Sequence, residues 1–357
     1  MWPIPASDAV WAFTRSGMES DAAAELTERA GALGIGGWCR TGDAWVELHP
    51  ALPQQLRELA LGLAFDRAVF PRQWLARCGV VEALPPTDRA GALAQAAAAA
   101  DVPATLSGLR IEYPDSDTAR PLARLARALE RPLQQALKTR GIALDETARA
   151  PILHSVLLDG RTAVLGLSDP ANASPWPRGI PRLRARRAAP SRSVLKLDEA
   201  FMRFLDDDQR ARWLRPGRTA VDLGAAPGGW TWLLRHHGVE VTAIDNGPLS
   251  PQLRADPRVE HQRVDGLHFR PRGRVDWLVC DMVERPHRIA DLVATWLTRG
   301  DCRHAIANLK LPMKQRWAAA SQHLETIAAA LPPQGRLRAH QLYHDREEIT
   351  LFASREP

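Results

Sequence analysis

The sequence has little of several things, and each shortage excludes something. Its 357 residues hold only four cysteines, Cys39, Cys78, Cys280 and Cys302. They are scattered, with none of the paired spacings that a zinc site or a disulfide framework needs, so no metal is expected and a reducing cytoplasm is the expected setting. No stretch approaches 18 uninterrupted apolar residues, which argues against a membrane-spanning helix. The opening Met1-Trp2-Pro3-Ile4-Pro5 lacks a basic segment followed by an apolar one, so no export signal is expected. Acidic residues are missing from Ala171 to Leu197, where Arg178, Arg182, Arg184, Arg186, Arg187, Arg192 and Lys196 all fall. Pro170, Pro175, Pro177, Pro181 and Pro190 break any helix there, so the segment reads as an extended connector. A solvated linker is one reading. An arm that tracks a phosphate backbone through Arg182, Arg184, Arg186, Arg187 and Arg192 is the other, favoured because it leads into the residues discussed next.

What is present fits a soluble multidomain protein. Hydrophobic residues make up 45% and charged ones 25%, and 357 residues exceed one ordinary core, so two or three domains are expected. The net charge of +6 permits a polyanionic partner without requiring one. In the first half, Val10 to Thr14 reads as a strand, Met18 to Leu33 as a helix and Trp38 to Leu48 as a hairpin turning at Thr41-Gly42-Asp43. Leu52 to Leu63 reads as a second helix and Ala68 to Cys78 as another strand. That β-α-β-β-α-β order predicts a ferredoxin-like unit over residues 1–80. A second α/β module follows over 81–170, with helices at Arg89 to Ala100 and Ala119 to Thr139. Its strands fall at Thr105 to Tyr113, Ile152 to Leu158 and Arg161 to Leu167. Neither module carries a catalytic spacing, and an RNA-holding role is the expectation. The basic connector takes 171–190, and a third domain fills 191–357.

That last domain carries the chemistry. Ala220-Val221-Asp222-Leu223 runs as an apolar strand into the turn Gly224-Ala225-Ala226-Pro227-Gly228-Gly229, and a helix opens at Trp230. Glycines there let backbone approach a ligand, and the helix start offers unpaired N–H groups. A second strand ends at Asp245, a third at Val264-Asp265-Gly266, and a fourth at Asp281. Carboxyl ends of parallel strands line the ligand crevice of an open α/β sheet, and three acids exceed what a dinucleotide site needs. They suit a cofactor with ribose hydroxyls, an adenine and a sulfonium. The next strand, Ala305 to Lys310, ends in a lysine beside Asp281. A lysine there can serve as base for an alcohol when burial and a second cation favour its neutral form. Lys196 can supply that cation, and Glu348 can orient the pair. The adjacent Glu347 is the alternative for that role, and Glu348 is preferred because strand alternation puts it on the face of Thr350 and Phe352.

Five segments carry a resemblance: Ser191 to Lys196, Asp222 to Trp230, Cys280 to Glu284, Asn308 to Lys314 and Tyr343 to Glu348. Together they resemble the ribosomal RNA large subunit methyltransferase M family over nearly the whole chain. The resemblance implies an α/β chain in which a Rossmann-like S-adenosylmethionine-dependent domain follows a ferredoxin-like and a THUMP domain. It implies 2′-O-ribose methylation of a cytidine in 23S rRNA, and a tetrad that maps onto Lys196, Asp281, Lys310 and Glu348. The glycine turn and the strand-end acids, with Ser193, give the expected cofactor residues: Ala226, Pro227, Gly228, Gly229, Trp230, Asp245, Asp265 and Asp281. Ala226 stands where the family often has cysteine, a change that backbone binding should tolerate.

Rival chemistries fit less well. A dehydrogenase would use G-x-G-x-x-G, whereas Gly224 to Gly229 reads G-x-x-x-G-G and leaves both lysines idle. Amino methylation of adenine would place an Asp/Asn-Pro-Pro-aromatic turn where Asp281-Met282-Val283-Glu284 stands. Pyrimidine carbon-5 methylation needs a cysteine nucleophile, and Cys280 lies in an apolar run that marks a core residue. A non-enzymatic RNA binder would need none of the tetrad.

Overall fold

The computed structural model describes residues 8–184 and 186–357, and these fall into two units, Met1–Ile180 and Pro181–Pro357. The Met1 to Pro5 segment, read above for an export signal, lies outside the described residues, as does Ala185 of the connector.

Unit 1 begins with β1 (Ala9–Phe13), α1 (Glu19–Ala32), β2 (Gly37–Gly42), β3 (Trp45–Pro50), α2 (Leu56–Gly62) and β4 (Gln73–Val81). The strands lie in the order β2-β3-β1-β4, all antiparallel, which is the ferredoxin-like arrangement. Short 3-10 turns at Pro53–Gln55 and Phe65–Arg67 delay α2 and β4 relative to the sequence reading. The second stretch adds α3 (Arg89–Ala99), β5 (Thr105–Leu106), β6 (Gly108–Glu112), α4 (Leu122–Thr139), β7 (Ala143–Leu144), β8 (Ile152–Leu157) and β9 (Ala163–Ser168). Asp88 starts α3 by accepting the Gly91 N–H at 2.8 Å. The two stretches are one sheet: β4 pairs antiparallel with β9, giving the continuous order β2-β3-β1-β4-β9-β8-β6. The boundary expected at residue 80 therefore falls inside a strand that serves both.

The first ten connector residues also belong to unit 1. Trp74 Nε1 donates to the Asn172 carbonyl at 2.7 Å, and Arg110 donates to the carbonyls of Ser174, Pro175 and Trp176. The extended connector expected over 171–190 thus folds onto the sheet as far as Ile180, because backbone carbonyls freed by proline find side-chain donors.

Unit 2 contains α5 (Val194–Phe204), α6 (Asp207–Trp213), β10 (Thr219–Leu223), α7 (Gly229–His236), β11 (Glu240–Ile244), α8 (Pro251–Arg254) and β12 (Val259–Gln262). It continues with β13 (Val275–Cys280), α9 (Pro286–Arg299), β14 (Cys302–Lys310), α10 (Arg316–Ala329), β15 (Arg336–His340) and β16 (Glu348–Ser354). Its sheet runs β12-β11-β10-β13-β14-β16-β15, parallel except at β16, a Rossmann-like order. β10 and β13 are buried on both faces, as inner parallel strands must be, and read as continuous apolar runs for that reason. Phe201, Trp213, Trp277 and Phe352 pack in the core beside them. Strand order reverses at β10, so the ligand crevice opens at the carboxyl ends of β10 and β13. Because β16 runs backwards, its first residue, Glu348, arrives at that same edge.

Candidate active site

The edge where β10, β13, β14 and β16 meet holds two lysines and two carboxylates in a ring. Lys310, the last residue of β14, pairs across the antiparallel ladder with Glu348. Both Glu348 oxygens are taken, one by the Lys196 ammonium and the other by that of Lys310. Asp281, just past β13, lies opposite, 3.5 Å from each lysine Nζ. Lys196 reaches in from the first turn of α5, whose Val194, Leu195, Leu197 and Phe201 anchor it in the core. The Lys310 side chain is the most exposed of the four at 32%, and Glu348 the least at 5%. Burial pushes the Glu348 carboxyl up, but Lys196 and Lys310 outweigh it and hold it below the usual range. Burial likewise opposes the Lys196 ammonium, yet Asp281, Glu348 and Asp345 raise its pKa above an ordinary lysine. Glu347, the alternative glutamate, points elsewhere: it takes Arg316 at 2.9 Å and is 67% exposed.

A second layer fixes this ring. Asn308 Nδ2 donates to Asp281 Oδ1 at 2.8 Å, and Thr350 Oγ1 donates to Asn308 Oδ1 at 2.7 Å. Buried Asp345 lies 3.0 Å from the same hydroxyl, its carboxyl raised well above the ordinary value by burial and then by Glu348 and Glu199. The sequence reading gave these three residues no role. Alternation contained the signal: Asn308 and Lys310 share a face of β14, Thr350 and Glu348 share a face of β16, and the register pairs them two by two.

Beside the ring lies the glycine turn. Gly228 adopts φ +114°, a left-handed value that favours glycine, and starts α7. A side chain at Gly229 would collide with the hydroxyl oxygens of Ser191 and Ser193, which lie 2.6 Å apart. The turn is thus a cradle of backbone N–H groups roofed by two hydroxyls. Asp222 adds an acid at its base. One of its oxygens accepts from Thr231 Oγ1 at 2.6 Å and the other is buried without a partner, and burial, with Asp281 and Asp245 nearby, pushes its pKa up to about 7. These features fit a cofactor that brings ammonium, carboxylate and hydroxyl groups.

The remaining candidates take varied places. Asp245 accepts the Ala226 N–H at 3.0 Å and the Gly247 N–H at 2.7 Å, so it ties the turn to the end of β11 while each oxygen keeps a free lone pair. Asp265 lies beyond the end of β12 rather than on it, in an exposed turn where it accepts from Leu267 N at 2.9 Å and pairs with His268. The adjoining Gly266 packs against Met282, which keeps this turn at the crevice. The Trp230 ring is a correction: it is 3% exposed, and its Nε1 donates to the Ser193 carbonyl at 3.0 Å. It positions Ser193 and leaves only its backbone to a ligand. Of the arginines, Arg182, Arg184, Arg187 and Arg192 are exposed, whereas Arg186 is half-buried on Asp198 at 3.1 Å. Cys280 is fully buried and its thiol is pushed up to about 12, which suits no nucleophile. Among the described residues no group of His, Cys, Asp and Glu could hold a metal, and no helix is long and apolar enough to cross a membrane.

Comparison with known proteins fits this geometry. Residues 8–75 match the RlmM ferredoxin-like domain, residues 88–169 the ribosomal RNA large subunit methyltransferase M N-terminal family, and residues 189–309 the FtsJ-like methyltransferase family. The ribosomal RNA large subunit methyltransferase M of Alkalilimnicola ehrlichii is 47% identical over 357 residues, covering 99% of this chain and 97% of that one. Its counterpart in Xanthomonas campestris pv. campestris is 44% identical over 346 residues, covering 96% and 98%. That of Xanthomonas oryzae pv. oryzae is also 44% identical over 346 residues, with the same shares. With relatives this similar along nearly its whole length, the chain belongs to the ribosomal RNA large subunit methyltransferase M family.

Proposed function

We propose that this S-adenosylmethionine-dependent rRNA methyltransferase modifies the ribose 2′-oxygen of a cytidine in 23S rRNA, with Lys310 as the general base. The observation that carries the reading is the ring of Lys196, Asp281, Lys310 and Glu348 beside the glycine cradle. Two lysines held by two carboxylates at a crevice, with no exposed thiol, suit proton removal from an alcohol better than attack on a base.

S-adenosylmethionine, when bound, supplies an activated methyl group and one positive charge, which matches the −1 that the ring carries once Lys310 is neutral. Backbone from Ala226 to Gly229, with Ser193, holds its amino-acid end; Asp245 takes ribose hydroxyls and Asp265 the adenine. Lys196 stays protonated and keeps Glu348 ionised. Glu348 and Asp281 aim Lys310 Nζ, the most accessible of the four groups, at the 2′-OH whose proton it accepts. Positioning supplies most of the acceleration, since the methyl donor arrives activated.

Residues 81–170 are taken as a THUMP-type RNA-holding module. The cytoplasm, where 23S rRNA is made, is the proposed setting. Mapping 2′-O-methyl groups on 23S rRNA from cells lacking the gene tests the reading. It expects one cytidine to lose its ribose methyl and a plasmid copy to restore it, but not a Lys310→Ala copy. Loss of a base methyl instead would overturn it.

A further inference from the structure

Four large hydrophobic side chains are exposed among the described residues of unit 2: Val264, Val283, Met313 and Tyr343. All four sit on loops at the edge of the sheet that carries the ring. Val264 adjoins Asp265. Val283 is two residues past Asp281, Met313 three past Lys310, and Tyr343 five before Glu348. Val283 is 93% exposed and Met313 87%, values at which an apolar side chain touches almost nothing of its own chain. Scattered exposed apolar residues need no explanation, but a set confined to one edge, around a polar centre, marks a binding surface.

An exposed cation accompanies each of the last three tips. Arg285 stands two residues from Val283, Lys314 next to Met313, and Arg346 three residues from Tyr343. Apolar or aromatic surface interleaved with single positive charges is the chemistry that receives a single-stranded nucleotide: a base face on one and a phosphate on the other. The loop holding Met313 is also shaped for its place. Gln315, between Lys314 and α10, sits at φ +55°, a strained value that persists in a side-chain-bearing residue only where its surroundings enforce it.

We infer that Val283, Met313 and Tyr343 form the seat of the target nucleobase. In this arrangement the base leaves its stack and lies on the three tips, Arg285, Lys314 and Arg346 hold the flanking phosphates, and the ribose is left over Lys310. The inference rests on the ribose-methylation reading, because that chemistry requires the sugar edge, not the base edge, to face the ring. A base so held serves as a handle that orients its own sugar, and unstacking it is least demanding in a loop or bulge. Continuity with the ring argues for this occupant over a second copy of the chain, for which a rim of three separate loops with interleaved like charges is unsuited.

The test is a chemical cycle on the full-length protein, using a 23S rRNA fragment that the wild type methylates. One partner of the cycle is Val283→Ser with Met313→Ser, both at exposed positions; the other is the same RNA with the target base removed and its ribose kept. We expect the double variant to raise the half-saturating RNA concentration roughly 10–100-fold, the scale of one lost base contact. Removing the base should weaken the wild type by a similar factor and the double variant by less than about threefold. Calorimetry should give unchanged cofactor affinity, and Met313→Leu should restore most of the RNA affinity. An unaltered RNA dependence, or equal sensitivity of both proteins to base removal, overturns the seat. So does self-association of the wild type that the double variant abolishes while RNA dependence stays the same. Methyl groups found on the base would instead sink the ribose reading, whatever the double variant does.

Discussion

Each unit buries a network of titratable groups, and the two differ in one respect that decides their use. In unit 1, His154 on β8 pairs through Nδ1 with Glu112 on β6 at 2.6 Å and through Nε2 with Ser168 on β9 at 2.8 Å. The parts are those of a hydrolytic serine triad. Yet Glu112, His154 and Ser168 are 2%, 0% and 3% exposed, and the second Glu112 oxygen is occupied by the Arg178 N–H. That network is sealed, and it ties three strands and the folded connector together. In unit 2 the four-membered ring is as fully bonded, but Lys310 remains one-third open at a strand edge. Access to a substrate, rather than the presence of an acid, a base and a hydroxyl, separates a working site from a structural one.

The comparison breaks first on stability. Glu112→Leu should lower the stability of unit 1 by about 2–5 kcal/mol, because His154 Nδ1 and the Arg178 N–H both lose their buried partner, at about 1–3 kcal/mol each. Denaturant midpoints would show it, with cofactor affinity, which belongs to unit 2, unchanged. Full stability together with lost cofactor binding would reverse the roles assigned to the two networks.

Next is the chemistry. Lys310→Ala should reduce methyl transfer by at least about 10²-fold with cofactor and RNA affinities little changed. Lys310→Arg should be nearly as damaging, since a guanidinium cannot accept the proton. Near-normal single-turnover transfer by the Arg variant would remove Lys310 as the base.

A smaller effect is expected at the cofactor. Asp245→Ala deletes acceptors for the ribose and frees the Ala226 N–H, and should weaken S-adenosylmethionine by about 1–3 kcal/mol. Calorimetric affinity equal to wild type would count against the strand-end assignment.

The pH response of the ring sharpens the contrast further. Glu348 is held below its ordinary value of 4.5, so its contribution is complete above that pH and fades as pH falls through the lowered folded value. Lys196 is raised above 10.5, so its contribution is complete below that pH and fades as pH rises through the folded value. Glu348→Gln should therefore flatten the acid side of the stability profile of unit 2. An acid limb as steep as wild type would place the responsible carboxylate elsewhere.

The smallest effect belongs to the connector. Changing Arg182, Arg184 and Arg187 to Gln should lessen the salt dependence of RNA binding by up to roughly three units of slope. Arg186 is omitted because Asp198 already holds it. An unchanged slope would return the segment to a plain linker.

Sequence patterns by themselves determined the glycine turn and the strand-end residues Asp245, Asp281 and Lys310, while the family resemblance joined Lys196 and a glutamate to them as a tetrad. These are local matters: an apolar run ending in a polar residue marks a strand end, and strand ends of an open sheet meet at one crevice. A further signal lay in composition. Only four of the 47 Lys and Arg residues are lysines, and Lys196 and Lys310 are two of them. The proposed base is one of these, and a guanidinium, which keeps its charge, could not accept a proton there.

Only tertiary structure decided the rest. The joining of two modules into one sheet rests on β4 pairing with β9, about 90 residues away in sequence, which no local pattern records. The choice of Glu348 over Glu347 was suggested by alternation but required the β14–β16 register to complete it. Burial turned the Trp230 ring inward to hold Ser193 and closed Glu112, His154 and Ser168 into a sealed network. Residue type and spacing say which groups can react; long-range packing decides which of them a substrate can touch.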